Sequence, residues 1–261
     1  MRNAMIMTAA AAALVLASPA AAVVITFASF SPIGGGANLR FVNAAGNSNA
    51  IFYTTATASS TVAGSRDVNF SFLQPGINAY VNNVTAKFTM AGTVTNTAAT
   101  ILGPNIVQSN LTGSFSFLTT APIVIGSTVF ATGSNLLSGT FSQAYISGGR
   151  GSTSGGLFAA TPSAPLVYTS DFLTFIGGSN FDMAVSLTSI NPALNALPTA
   201  GMPTRALRTF RAVASGQFSS DPAPLVPTIP EPAVWLQLIA GFSLVGFATR
   251  RRRQVGTRVS A

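Results

Sequence analysis

The stretch from residue 23 to residue 220 is predicted to fold as an all-β, antiparallel β-sandwich. Three observations predict it. Apolar and polar residues alternate with a period of two in several short runs, clusters of Gly, Pro, Asn and Ser separate those runs, and no segment between them carries a persuasive helical period.

The alternation is clearest where Phe181, Met183, Val185 and Leu187 share one side and Asp182, Ala184, Ser186 and Thr188 the other. Ala86, Phe88 and Met90 alternate with Lys87 and Thr89, Phe70 and Phe72 with Asn69 and Ser71, and Phe115 and Phe117 with Ser114 and Ser116. Each run reads as a strand with one buried face. Gly34-Gly35-Gly36, Gln74-Pro75-Gly76, Gly103-Pro104-Asn105 and the stretch Gly148 to Gly156 read as turns or loops. The Pro-containing segment from Asn191 to Pro203 is expected as a long loop, with only a weak helical period near Pro192 to Leu197, before a last strand near Thr209 to Phe218. Gly-x-Phe-Ser occurs at Gly113, Gly139 and Gly216 without a common period, so it is read as a turn followed by a strand, not as a repeat array.

Composition narrows the chemistry. The chain of 261 residues is 48% hydrophobic and 7% charged, against about 25% charged in an ordinary soluble domain. The net charge of +8 is mostly terminal: Arg2, Arg250 to Arg253 and Arg258 lie outside residues 23–229, which hold seven basic and four acidic residues. The high isoelectric point, about 11.4, is therefore a property of the ends and does not mark a nucleic-acid partner. The chain has no His and no Cys. That excludes disulfides, a Ser-His-Asp triad, a Cys nucleophile and thiolate- or imidazole-bound metals. No cofactor is expected, and the chain is not expected to be an enzyme.

Residues 1–22 have the order of a signal peptide. Met1-Arg2 is positive, Ala4 to Leu16 is apolar apart from Thr8, Ser18-Pro19 breaks the helix, and Ala20-Ala21-Ala22 offers a small-x-small site that would leave Val23 as the new N-terminus. The apolar run is too short to span a bilayer. The alternatives are an uncleaved N-terminal anchor and a buried Ala-rich helix.

The other end carries five prolines between Asp221 and Pro232, so residues 221–229 are expected as a stiff linker. Ala233 to Thr249 follows without a charge. At about 1.5 Å per residue this helix would be roughly 25 Å long, the short limit of a span. Trp235 at one end and Arg250, Arg251, Arg252 and Arg253 at the other are the interfacial anchors such a span needs, and the Arg run is expected to stay in the cytoplasm.

Pro230-Glu231-Pro232, Trp235, an apolar span containing Gly241 and Gly246, and a closing Arg cluster together resemble the PEP-CTERM sorting domain, in its Pro-Glu-Pro-x-x-Trp variant, over about 30 residues of the chain (230–253 at its core). Residues 254–261 run on as a short tail past Arg253. The resemblance implies export by signal peptidase and the export machinery, temporary anchoring in membrane lipid, and processing at Pro-Glu-Pro by an exosortase. It also implies delivery to the cell surface or beyond in an exopolysaccharide-producing or biofilm-forming cell. Tails of this kind also bear the label ice-binding protein C-terminal domain, which describes the tail alone. The alternative is a plain stop-transfer anchor behind a chance Pro-Glu-Pro.

Within the exported part, few residues invite chemistry. Asp171 and Asp182 are carboxylates close together in sequence, as a glycosidase requires, but Asp182 falls on the polar side of its strand. Ser179-Asn180-Phe181-Asp182 offers oxygens without a calcium-loop spacing. The Gly148–Gly156 loop lacks the Lys-Ser/Thr ending of a phosphate loop. Arg205, Arg208 and Arg211 form a basic cluster that would suit acidic polysaccharide or lipid headgroups if it were not simply a solvated face. Tyr53, Tyr80, Tyr145 and Tyr168 are the tyrosines from which an aromatic sugar platform would be built. A structural or adhesive role beside exopolysaccharide is the primary expectation. A carbohydrate- or ion-binding module is the alternative, and a carboxylate-dependent hydrolase comes third.

Overall fold

A computed structural model describes residues 24–43, 49–196 and 206–226, together with 239, 240, 242 and 243 in the tail. Fourteen strands occur among the described residues. They are β1 (Ile25–Pro32), β2 (Leu39–Val42), β3 (Ala50–Thr54), β4 (Arg66–Phe72), β5 (Val84–Val94), β6 (Thr100–Leu102) and β7 (Asn105–Thr119). The second half holds β8 (Ile123–Ile125), β9 (Thr128–Phe130), β10 (Asn135–Gly149), β11 (Gly155–Ala160), β12 (Leu166–Thr169), β13 (Asn180–Asn191) and β14 (Phe210–Asp221). The strands carrying the alternating runs bury the predicted faces: Phe70, Phe72, Ala86, Phe88, Met90, Phe115, Phe117, Phe181, Met183, Val185 and Leu187 all face the core.

All pairings are antiparallel, and they form a ring. β1 pairs β4, β4 pairs β5, β5 pairs β7, β7 pairs β10, β10 pairs β11, β11 pairs β13, β13 pairs β14, and β14 returns to β1. The expected sandwich, with two separate sheets, is thus corrected to a closed barrel. Period-two patterning reports which face is buried and carries no information on whether the outermost strands meet. Closure removes the open edges that a sandwich would have to protect.

The wall between β5 and β14 is built in two halves, end to end. β4 covers Val84 to Phe88 of β5 while β3 covers Ala91 to Val94. β1 covers Gly216 to Ser220 of β14 while β2 covers Phe210 to Ala212. At the seam, side chains take the place of missing strand. Asn38 accepts from the Ala214 N–H at 2.7 Å and donates its amide to the Ala214 carbonyl at 3.0 Å. Thr54 Oγ1 accepts from the Met90 N–H at 3.1 Å and donates to the Met90 carbonyl at 3.4 Å. A backbone bond from Thr55 N–H to the Asn38 carbonyl, 3.1 Å, joins the two bridges. Asn38 and Thr54 are both buried, so water does not substitute for them.

The barrel is solid inside. Phe30 of β1, Phe88 of β5, Phe115 and Phe117 of β7 and Phe218 of β14 form one contiguous stack, with centroid distances of 4.8 Å for Phe88–Phe117, 4.9 Å for Phe30–Phe117 and 4.9 Å for Phe115–Phe218. β7 and β14 are opposite walls of the ring, so the Phe115–Phe218 contact crosses the interior. The Gly-x-Phe motif explains how these rings fit. In register, Gly113 of β7 faces Phe141 of β10 while Phe115 faces Gly139, and Phe30 of β1 faces Gly216 of β14. A Cβ on Gly113 would stand 2.9 Å from the Phe141 ring, on Gly139 2.9 Å from Phe115, and on Gly216 2.7 Å from Phe30. These glycines lie inside strands, not in turns as expected, and leave room for an aromatic ring from the strand alongside.

Gln74-Pro75-Gly76 and Gly103-Pro104 connect strands as anticipated, whereas of the expected loop Gly148–Gly156 only residues 150–154 connect, Gly148 and Gly149 ending β10 and Gly155 and Gly156 opening β11. Residues 192–196 are not helical. The front of the expected linker is docked: Leu225 exchanges backbone hydrogen bonds with Thr174 at 2.8 and 3.0 Å, and Gln74 donates to the Pro224 carbonyl at 2.9 Å. No helix among the described residues is long and apolar enough to cross a membrane.

The seam makes a specific demand on stability. Asn38→Ala leaves a buried N–H and a buried C=O of Ala214 without partners, and the expected loss is about 2–4 kcal/mol in urea unfolding of the purified chain. Asn38→Asp keeps the acceptor but loses the amide donor, and it is expected to be unstable too. Gly139→Ala is expected to cost about 1–3 kcal/mol by overpacking against the Phe115 ring and the Val167 carbonyl. A midpoint unchanged in all three variants would refute the seam and the glycine packing.

Candidate functional site

The outer surface has two faces of different character. On one, the strands β5, β7, β10 and β12 place Thr89, Ser116, Ser138 and Thr169 in one cross-strand row. Their hydroxyls satisfy one another: Thr89 and Ser116 are 2.6 Å apart, Ser138 and Thr169 2.8 Å, and Asn135 donates to Ser138 at 2.9 Å. This face is polar and weakly charged, and the bonded row runs along it beside the exposed hydroxyls of Thr93, Thr112, Ser114 and Thr140.

The other face, across β1, β14, β13 and β11, holds an open trough of about 490 Å³. Registration puts its residues in two rows. Ser29, Gln217, Ala184 and Phe158 are cross-strand neighbours in the first, which continues to Tyr145 on β10. Ser215, Ser186 and Gly156 are neighbours in the second. Small residues hollow the surface, and the far edge of the Phe158 ring leans over Gly156, where a Cβ would lie 2.4 Å from it. Phe158 pairs with Tyr145 at a centroid distance of 5.3 Å and 32° between planes. Tyr145 is 42% exposed, so the pair presents aromatic surface to solvent. The side chains of Ser29, Ser31, Ser186, Ser215 and Gln217 line the trough and make no hydrogen bond to another described residue. No ionisable side chain is among the lining residues.

The residues singled out by the sequence go elsewhere. Asp171 accepts from the Asn135 N–H at 2.7 Å and fastens the start of β10. Asp182 lies on β13 beside Ala160 and Ser219, one outward position beyond Ala184. Burial pushes its carboxyl up from the ordinary aspartate value. Tyr168 is buried and donates to the Asp182 backbone carbonyl at 2.5 Å; burial, then the Asp182 charge, hold its phenol well above the usual tyrosine value. Ser179 closes a turn by donating to the Ile176 carbonyl at 2.7 Å. Among the described residues, no group of three or more acidic side chains is placed to hold a metal.

The basic cluster is also redistributed. Arg205 lies outside the described residues, and Arg208 is in the approach to β14. Arg211 faces Arg40 of β2 directly, and Arg40 faces Tyr53 of β3. Arg211 donates to the Ala58 carbonyl at 2.9 Å and Tyr53 to the Thr61 carbonyl at 2.7 Å, so this row clamps the β3–β4 loop. Arg40 was not distinguishable in the sequence because its partner is far away in the chain. The trough was equally hidden: its polar residues are ordinary serines whose convergence depends on register. The proposed cleavage residues Ala20, Ala22 and Val23, the motif residues Pro230, Glu231, Pro232 and Trp235, and Gly241, Gly246 and Arg250 to Arg253 lie outside the described residues.

No family model, curated protein or solved structure matches the chain.

The pH behaviour of Asp182 follows from its burial. Its folded pKa is raised, so the folded chain holds a proton that the unfolded chain has released between the ordinary and the raised value. Stability therefore falls as pH rises through that window, and the ionised side chain remains a burden above it. Asp182→Asn is expected to raise the thermal midpoint at pH 7 and to change it less at pH 3. Equal shifts at both pH values would contradict this.

Proposed function

We propose that this chain is an exported, exosortase-sorted envelope or extracellular-matrix protein, with a structural or adhesive and non-catalytic role beside exopolysaccharide. A signal helix over residues 1–22 and a membrane helix over 233–249 flank the barrel in this reading. The observation that carries it is the ordered tail, Pro230-Glu231-Pro232, Trp235, uncharged span and Arg250 to Arg253, on a chain whose first 22 residues have the order of a signal peptide.

The barrel supports the non-catalytic part of the reading. Its interior is packed with phenylalanine, and Asp171 is engaged in holding β10. Among the described residues a single ion pair occurs, Lys87–Asp67 at 2.7 Å, with both side chains about half exposed. A protein held this way by packing and neutral hydrogen bonds is insensitive to the ionic surroundings of a polysaccharide layer.

Fractionation of a PEP-CTERM-bearing, exosortase-positive host expressing the chain, with intact-mass analysis, tests the reading. The mature protein is expected at the cell surface or in the medium, beginning at Val23 and lacking the Arg cluster. Replacing Arg250 to Arg253 by serine is expected to impair maturation. Intact precursor in the cytosol, or normal maturation of the neutral-tail variant, would overturn it.

A further inference from the structure

We propose that the trough across β1, β14, β13 and β11 is a binding site for an uncharged polysaccharide chain. The inference concerns the barrel alone and is independent of how the protein is delivered.

The concavity of the trough and its neutral polar lining are the starting point. In the rows Thr89–Ser116 and Ser138–Thr169 on the β5–β7–β10–β12 face, neighbouring hydroxyls are close enough to bond one another. In the trough, four serine hydroxyls and the Gln217 amide have no such partner and face the same concavity. Each hydroxyl can donate one hydrogen bond and accept others, and the amide offers both functions at fixed positions. A sugar ring edged with hydroxyls makes the complementary demand: many neutral donors and acceptors, closely spaced.

The second element is aromatic. Sugar rings have apolar C–H faces as well as hydroxyl edges, and Phe158 and Tyr145 supply a partly exposed aromatic surface at one flank of the trough. An aromatic side chain buries large area at low entropic cost and, for Tyr, adds a polar tip. Phe158 is held in position because Gly156 leaves space beneath its ring.

Charge and size choose among ligands. An acidic polymer would call for Arg or Lys in the lining, and the trough contains neither. Arg211, four residues along β14 from Ser215, is committed instead to the β3–β4 loop. A volume of about 490 Å³ falls within the size of small-molecule sites, roughly 300–1,000 Å³. Four adjacent strands give the trough a width of about 14 Å. Its openness to solvent suits the side of a long chain, which needs no enclosed end.

Affinity electrophoresis of the purified full chain in mild detergent tests the site. The gels would contain hydroxyethylcellulose, dextran or alginate. Retardation by at least one of the two uncharged glycans, and none by alginate beyond a charge effect abolished by salt, is expected. Ala184→Arg, which fills the trough from an exposed position, and Phe158→Ala are each expected to weaken retardation at least tenfold. Thr85→Arg, on the other face, is expected to leave it unchanged. Thermal midpoints establish folding; Gln217→Ala serves as a further trough variant that removes only an exposed amide. Absence of retardation by both uncharged glycans, equal retardation of the trough variants and the parent, or salt-resistant retention by alginate alone would each overturn the inference.

Discussion

Closure of the barrel depends on a place where the strands do not reach. β5 and β14 are long enough to serve two neighbours each on one side, and the neighbours stop short of one another. The backbone groups left without a strand partner between them, at Met90 and Ala214, are buried, and a buried group without a hydrogen bond costs about 1–3 kcal/mol. Asn38 and Thr54 resolve this by imitating a peptide: each offers an acceptor to the N–H and a donor to the C=O of the same residue, Ala214 or Met90. The two halves of the wall are thereby joined, and the cylinder around the phenylalanines has no gap.

The same economy of partners governs the strands that bend. Asn110 in β7 and Gln143 in β10 take positive φ values where the β7–β10 register shifts, and Ser189 does so where β13 loses register with β14. Bulges of this kind bend a strand and increase its twist, which a closed ring of long strands requires. The glycines facing Phe30, Phe115 and Phe141 then let the walls and rings approach closely enough for a solid interior. The interior is thereby filled with side chains, and the trough lies on the outer face of the sheet, where its small residues leave a concavity.

The alternation of Phe181, Met183, Val185 and Leu187, or of Phe115 and Phe117, was legible because a half-buried strand must place every second residue on the same side. Gln74-Pro75-Gly76 and Gly103-Pro104-Asn105 were legible because their residues favour turn geometry. Gly113 and Gly139 misled, since glycine serves a turn and a close cross-strand contact equally well, and only the partner strand distinguishes the two. Asp171 looked like half of a carboxylate pair, but its partner is the Asn135 N–H of another element. The Arg211 neighbourhood pointed along the chain to Arg205 and Arg208, whereas the sheet sets it against Arg40.

By itself the sequence determined that the described body is β-built with a phenylalanine core and that imidazole and thiol chemistry are absent, because side-chain period and composition are local properties. The order of charged, apolar and proline residues at the two ends, on which the proposed leader and tail rest, is likewise read as a linear string. Only the tertiary structure decided that the sheet closes into a ring, that Asn38 and Thr54 bridge its seam, and that Ser29, Gln217, Ser186 and Phe158 meet in one trough. Those outcomes rest on register between segments far apart in the chain, Thr26 and Ser219 being separated by 193 residues, and a register one residue different would turn the same side chains to the opposite face.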